Sequence, residues 1–451
     1  MQLNRRQHLA LVALGLVSGT STTLAAPPAS EAGQTLQLDS GLLWYQENNN
    51  RIRDLEAIVS VRQSLSEDSA WSARLLVDTV CGGSPIGALP SKASQSFVTP
   101  TATSLNPPVA TQTTTSASGG GDGGGLSLCS NPVQNQKYTT APGDLPIDQS
   151  FHDQRVALSG GFETAVGRQD RVNAGLALSH ELDFFSTSVN ALWSHDMNQR
   201  NTTLALGVNI ESDRVSPVGG APVPGSLYGD FRKTANQSKT LQDLLVGVTQ
   251  VVSRRWITQG NVSLERSSGY ETDPYKIITE VDTQGYDAAG LYRYESRPGS
   301  RRRYALYWDN KYAFDQDVLQ ISYRHAADSW GIRSDTLEAH YRLALGERSY
   351  LEPHLRAYHQ TAADFYRLYL VQGAPAVDYA SADPRLGGFT GQTLGIKYGM
   401  TMGESGELSL RLERYVQRGT VTGSSLPGLQ GLDLYPGMNA LLVQLGLRAS
   451  F

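Results

Sequence analysis

A chain of 451 residues with a net charge of −5 has room for one large barrel or a few ordinary domains, and it lacks the basic surplus of a nucleic-acid binder. Its hydrophobic content is 39%, and no stretch approaches the ~18 apolar residues of a spanning helix, so a helical membrane protein is excluded. A lipid-spanning β-barrel is not excluded, because only alternate residues of its strands face lipid. The 45 glycines and 21 tyrosines suit turn-rich, aromatic-girdled strands.

Residues 1–26 read as an export signal. Asn4-Arg5-Arg6 supplies the positive start, Leu9 to Val17 the apolar core, and Thr23-Leu24-Ala25-Ala26 the small residues for cleavage before Pro27. Residues 27–451 are then the mature chain, which settles into runs of period two.

Pattern and turn signals predict about sixteen strands. They start near Gln34, Ile52, Trp71, Arg155, Arg171, Phe184, Thr202, Leu241, Trp256, Arg303, Val318, Asp335, Ser349, Gln392, Glu407 and Met438. Val172, Ala174, Leu176 and Leu178 alternate with Asn173, Gly175, Ala177 and Ser179. Leu337, Ala339, Tyr341 and Leu343 alternate with Glu338, His340, Arg342 and Ala344. The last run sets Leu441, Val443, Leu445, Leu447, Ala449 and Phe451 against Gln444, Gly446, Arg448 and Ser450. Such strands have one apolar and one polar face. A terminal Phe451 on an alternating strand resembles the signal read by the barrel-assembly machinery.

Alternation occurs in soluble sandwiches too. The connections decide. Every second one is short, as in Glu67-Asp68, Gly167 to Asp170, Met197 to Arg200, Ser253-Arg254, Phe314 to Asp317, Gly346 to Arg348 and Gly403 to Gly406. Those between include long segments: Cys81 to Phe151, Arg214 to Lys239, Tyr270 to Ser300, Thr361 to Thr390 and Gly419 to Gly437. Short turns at one end and long loops at the other mark an all-β, transmembrane antiparallel barrel with short periplasmic turns and long extracellular loops. Segment 81–150 is the longest loop and is rich in Ser, Thr, Pro and Gly, with the run Gly119 to Gly125 broken only by Asp122. In an oxidising compartment its bounding residues Cys81 and Cys129, the only two cysteines, are expected to pair.

The polar faces of the later strands carry the candidate lumen residues. They are Arg303, Asp309, Lys311, Arg324, Glu338, His340, Arg342, Glu352, His354, Arg356, Lys397, Arg411 and Glu413. A charged lumen that selects a solute and a set of paired charges that braces the wall both fit them. The mixed signs argue against strong anion or cation selectivity. A metal site using His340, His354, Glu338 and Glu352 needs a strand register that the sequence does not give, and hydrogen-bonded lumen histidines are the commoner case. No metal or cofactor is therefore assigned. Catalysis could draw on His180-Glu181 or His195-Asp196, but there is no Gly-x-Ser-x-Gly elbow and no His-Glu-x-x-His helix. No enzymatic activity is expected. Tyr304, Tyr307, Trp308, Tyr312 and Tyr323 are expected in the aromatic girdle or the lumen.

Several stretches are familiar as an ordered set: "NQRNTTLALG" from Asn198, "GVTQVVS" from Gly247, "GYETDPYK" from Gly269, "RPGSRRR" from Arg297, "DSWGIRSDTLE" from Asp328, "HQTAADFY" from His359 and "ERYVQR" from Glu413. "SHELDFFSTS" from Ser179 joins them, with Phe184 where Tyr is expected. The chain thus resembles a family of Gram-negative outer-membrane proteins known as domain of unknown function 3570, over nearly all of the mature sequence. The resemblance implies an outer-membrane barrel, and its gene associations imply a redox or metal-related setting. It assigns no residue a role.

The reading is a porin-like outer-membrane channel or transporter for a small solute. One alternative is a barrel component of a surface or redox complex without pore activity, which predicts a periplasmic or surface partner. Another is an outer-membrane enzyme with a site at the extracellular mouth. Expected associates are outer-membrane lipid, the barrel-assembly machinery and a small solute, with no nucleic acid.

Overall fold

The computed structural model describes residues 35–48, 51–98, 137–148, 152–229, 233–234 and 236–451. The export signal, Cys129 and the Gly119 to Gly125 run lie outside the described residues.

In chain order the strands begin with β1 (Leu36–Glu47), β2 (Arg53–Ser64) and β3 (Ser69–Cys81). Two short strands follow in the first long loop, β4 (Gln95–Val98) and β5 (Lys137–Thr140). Next come β6 (His152–Val166), β7 (Asp170–His180), β8 (Phe184–Met197) and β9 (Thr202–Val215). The short pair β10 (Ala221–Pro222) and β11 (Lys233–Thr234) precedes β12 (Gln237–Ser253) and β13 (Trp256–Gly269). The loop strands β14 (Ile277–Val281) and β15 (Asp287–Tyr294) lead into β16 (Ser300–Ala313), β17 (Val318–Asp328), β18 (Arg333–Ala344) and β19 (Ser349–Gln360). The short β20 (Tyr369–Val371) is followed by β21 (Phe389–Met402), β22 (Gly406–Gly419) and β23 (Met438–Ser450).

Sixteen of these close one barrel, in the order β1-β2-β3-β6-β7-β8-β9-β12-β13-β16-β17-β18-β19-β21-β22-β23. The last strand pairs antiparallel with the first, Leu38 opposite Ala449 and Trp44 opposite Val443, so no wall edge is left open. All sixteen were expected, with starts within a few residues.

The period-two pattern decides which way each side chain faces. Leu176, Ile210, Leu264, Leu337, Leu355, Leu394 and Leu410 lie exposed on the outer surface of the wall. In water such a belt would be unstable; against hydrocarbon it is the favourable surface. Near the short-turn end the belt gains aromatics: Trp193, Trp256, Tyr312, Phe314 and Tyr341. Trp308 and Tyr323 are also outward, whereas Tyr307 turns inward and donates to Asp309 at 3.4 Å.

At the other end, loops 82–151, 216–236, 270–299, 361–388 and 420–437 connect the strands. They are not loose. β14 pairs antiparallel with β15 and parallel with β20, forming a three-stranded sheet from two different loops. Alternation is absent there, so the sequence pattern did not announce these strands.

Candidate functional site

The loops meet across the mouth. Loop 82–151 is rooted between the third and fourth wall strands, and loop 270–299 between the ninth and tenth. Their contacts must therefore reach over the opening. Ile277 donates its backbone N–H to Ile86 at 2.9 Å, and Leu89 donates to the Thr279 hydroxyl at 2.9 Å. Leu89, Val281, Leu429 and Leu434 form one buried apolar cluster drawn from three loops, flanked by Leu368 and Tyr369 of a fourth. Phe97 and Tyr138 of the β4–β5 ribbon stack at 5.6 Å and pack on Tyr292. Together these loops form a cap with its own core.

An ionic knot fastens the cap. Arg297 bonds Glu295 at 3.0 Å and Asp383 at 2.8 Å. Arg385 bonds Asp273 at 2.7 Å and also pairs with Asp383. Lys276 donates to the Ser84 hydroxyl at 2.7 Å and the Pro85 carbonyl at 2.6 Å. Burial alone would raise the Asp383 and Asp273 carboxyls, but the guanidiniums beside them hold both well below the usual range. Burial pushes Glu295 up and Lys276 down. The turn into this region needs glycine at Gly269, whose φ is 120° and whose added Cβ would stand 2.3 Å from the Ser238 carbonyl. The stretch Gly269 to Lys276 and the start of "RPGSRRR" thus serve the cap; their density of charges next to Gly and Pro was the sequence signal.

All thirteen candidate lumen residues lie on the wall face opposite the exposed leucines: Arg303, Asp309 and Lys311 on β16, Arg324 on β17, Glu338, His340 and Arg342 on β18, Glu352, His354 and Arg356 on β19, Lys397 on β21, and Arg411 and Glu413 on β22. Some brace the wall. Arg342 lies 3.7 Å over the Tyr350 ring, Lys397 pairs with Glu407 at 3.5 Å, and Asp309 accepts from Gln320 at 2.9 Å.

Five others and Arg411 form one cluster centred on two histidines. Strand register places His340 directly opposite His354. Their rings stack with centroids 4.1 Å apart and 5° between planes. Both Nε2 atoms point at one oxygen, Glu338 Oε1, at 3.2 Å from His340 and 2.8 Å from His354. The Nδ1 of His354 hydrogen-bonds Glu413 at 2.8 Å, and the Nδ1 of His340 lies at ion-pair distance, 3.4 Å, from Glu352. Glu413 reaches His354 across the intervening β21 because Gly395 has no side chain there; a Cβ would sit 2.7 Å from Glu413 Cγ. Arg411 contacts Glu352 at 3.5 Å and Glu413 at 3.1 Å. The ligand atoms of Glu338, His340 and His354 lie within 4.8 Å of one another. A second trio, Asp153, Glu181 and Asp183, is also close but purely acidic and buried, and each member has other interactions.

The two histidine pairs weighed for catalysis are placed as follows. His195 meets Asp170 at 2.9 Å, not its neighbour Asp196, which accepts from Thr203. It also stacks on Trp193 near the short-turn end, on the outward face and far from the loop mouth. His180 is exposed at the outer end of β7, against Phe185, while Glu181 is buried. Cys81 ends β3 at the cap and is buried; the pairing expected of it involves Cys129, outside the described residues.

Fold and wall define a transmembrane β-barrel with a capped mouth. The chain belongs to the family described as "Protein of unknown function (DUF3570)", whose model matches residues 6–449. Among curated proteins none matches significantly. Several solved bacterial proteins show some likeness in fold. The ferric enterobactin receptor PfeA of Pseudomonas aeruginosa, in complex with enterobactin, has a TM-score of 0.41 and 10% identity, covering 92% of this chain and 60% of that one. The siderophore receptor PirA of Acinetobacter baumannii has a TM-score of 0.39 and 10% identity, covering 88% and 55%. The outer membrane protein OpdK of P. aeruginosa has a TM-score of 0.37 and 8% identity, covering 93% and 99%. The chain spans little more than half the length of the receptors.

Proposed function

We propose that this protein is a gated outer-membrane channel or transporter for a small polar solute, exported through the N-terminal signal and standing in the outer membrane of a Gram-negative bacterium. The observation that supports this best is the combination of a polar, partly accessible inner wall with loops that bridge the mouth. A barrel that only braced the membrane would have no need of an inner face with so many ionisable groups. The cap is the gate in this reading, and the Cys81–Cys129 pair tethers its longest loop. No catalytic step is proposed.

The test is single-channel conductance of the refolded, oxidised chain in a planar bilayer, beside Arg297→Ala, which unties the cap knot. Brief openings in the wild type and longer ones in the variant are expected. If both stay silent while heat-modifiable gel migration shows folded barrels, the channel reading fails.

A further inference from the structure

We propose that Glu338, His340 and His354 form a binding site on the inner wall for one divalent first-row transition-metal ion of the kind imidazole selects, zinc or copper(II). The inference needs an accessible lumen but not a conducting pore.

Three independent features of the site point this way. The first is convergence. Two imidazole nitrogens on facing strands already aim at a single point, now taken by Glu338 Oε1. An ion bound at ~2.0–2.1 Å from each nitrogen can take that place when the rings tilt out of their stack and the carboxylate becomes the third ligand.

The second is the outer ring of partners. Metal-bound imidazoles commonly donate the remaining ring N–H to a carboxylate, which fixes the tautomer and aims the lone pair of the other nitrogen. His354 has such a partner in Glu413 at 2.8 Å, and Glu352 stands at ion-pair distance, 3.4 Å, from the Nδ1 of His340. The gap at Gly395 makes the first of these contacts sterically open.

The third is charge. Two of the three carboxylates, Glu352 and Glu413, contact a permanent cation, Arg411, while Glu338 contacts the two histidines. With neutral imidazoles, Glu338, Glu352, Glu413 and Arg411 together carry two negative charges, partly offset by the Lys397 ammonium near Glu352, and a divalent ion beside Glu338 compensates the excess. The alternative is a proton on each histidine, which stacks two like charges face to face at 4.1 Å. His340 and Glu338 keep 22% and 33% of their side chains exposed, so the site is reachable from the lumen. Magnesium and calcium prefer all-oxygen ligands, and two imidazoles select against them.

The test uses the full chain without a polyhistidine tag, refolded in detergent and stripped with a chelator. Equilibrium dialysis against zinc is expected to show one saturable site per chain that magnesium does not fill. The copper(II) form is expected to show nitrogen hyperfine splitting from two imidazoles. His340→Ala with His354→Ala should weaken zinc binding by about a hundredfold or more. Glu413→Gln should weaken it about ten- to hundredfold. Heat-modifiable migration checks that each variant is folded. Absence of saturable zinc binding, equal binding in the double variant, or equal filling by magnesium would each overturn the site. Zinc binding by a chain that stays silent in bilayers upholds the site and sinks the channel; conductance without zinc binding does the reverse.

Discussion

The cap knot and the lumen cluster are built from similar residues and behave as opposites. In the cap, Asp273, Glu295 and Asp383 face Lys276, Arg297 and Arg385, three charges of each sign, all largely buried. Its charges balance without any outside group. On the wall, three carboxylates hold two histidines, only two of the three touch a guanidinium, that of Arg411, and part of the cluster faces the lumen. It is complete only with protons or a cation. The difference separates ionic groups that fasten structure from ionic groups that await a ligand: the balance of charge and the access of water decide, not the number of ionisable residues.

The sharpest way to break this comparison is to remove one cation from the balanced side. Arg297→Ala leaves Glu295 and Asp383 buried and under-compensated, at a cost of about 3–5 kcal/mol. Amide hydrogen exchange at Ile277–Val281 should speed up accordingly while the wall strands keep their protection. Equal loss of protection in the wall would show that cap and barrel open as one unit.

A smaller effect is expected on the unbalanced side. Gly395→Ala places a Cβ 2.7 Å from Glu413 Cγ and forces that side chain off His354. Zinc affinity should fall about tenfold, or ~1.4 kcal/mol, with cap exchange unchanged. Unaltered affinity would mean that Glu413 does not orient the histidine.

The wall was legible because lipid imposes a rule on every second residue. Leu176 beside Ala177, or Leu394 beside Gly395, shows its face in the sequence alone. That rule also set the thirteen lumen candidates on one face. It could not bring His340 to His354, since pairing depends on the turn 345–348 and on the full ladder between β18 and β19. The cap was hidden for a different reason. Ile278 and Val281 are buried by residues from other loops, as is Leu89, and no local period marks a core assembled from segments far apart in the chain. Arg297 and Asp383, 86 positions apart, could not be matched by spacing.

The smallest expected effect is that of mild acid on the cap, and its sign follows from the knot. Asp273 and Asp383 are held below their ordinary range, so the stability they contribute is present above about pH 4 and is lost as pH falls through their depressed values. Glu295 acts the other way: burial raises it, so protonating it in mild acid favours the folded cap. Lys276 is pushed down by burial, and its contribution changes only on the alkaline side. Hydrogen exchange at Ile277–Val281 should therefore stay flat or slow slightly from pH 7 to about 4.5, after correction for intrinsic rates, and rise only below about pH 4. Loosening already between pH 7 and 5.5 would mean that a group outside the knot holds the cap shut, and the charge-balanced cluster would lose its standing as the fastening.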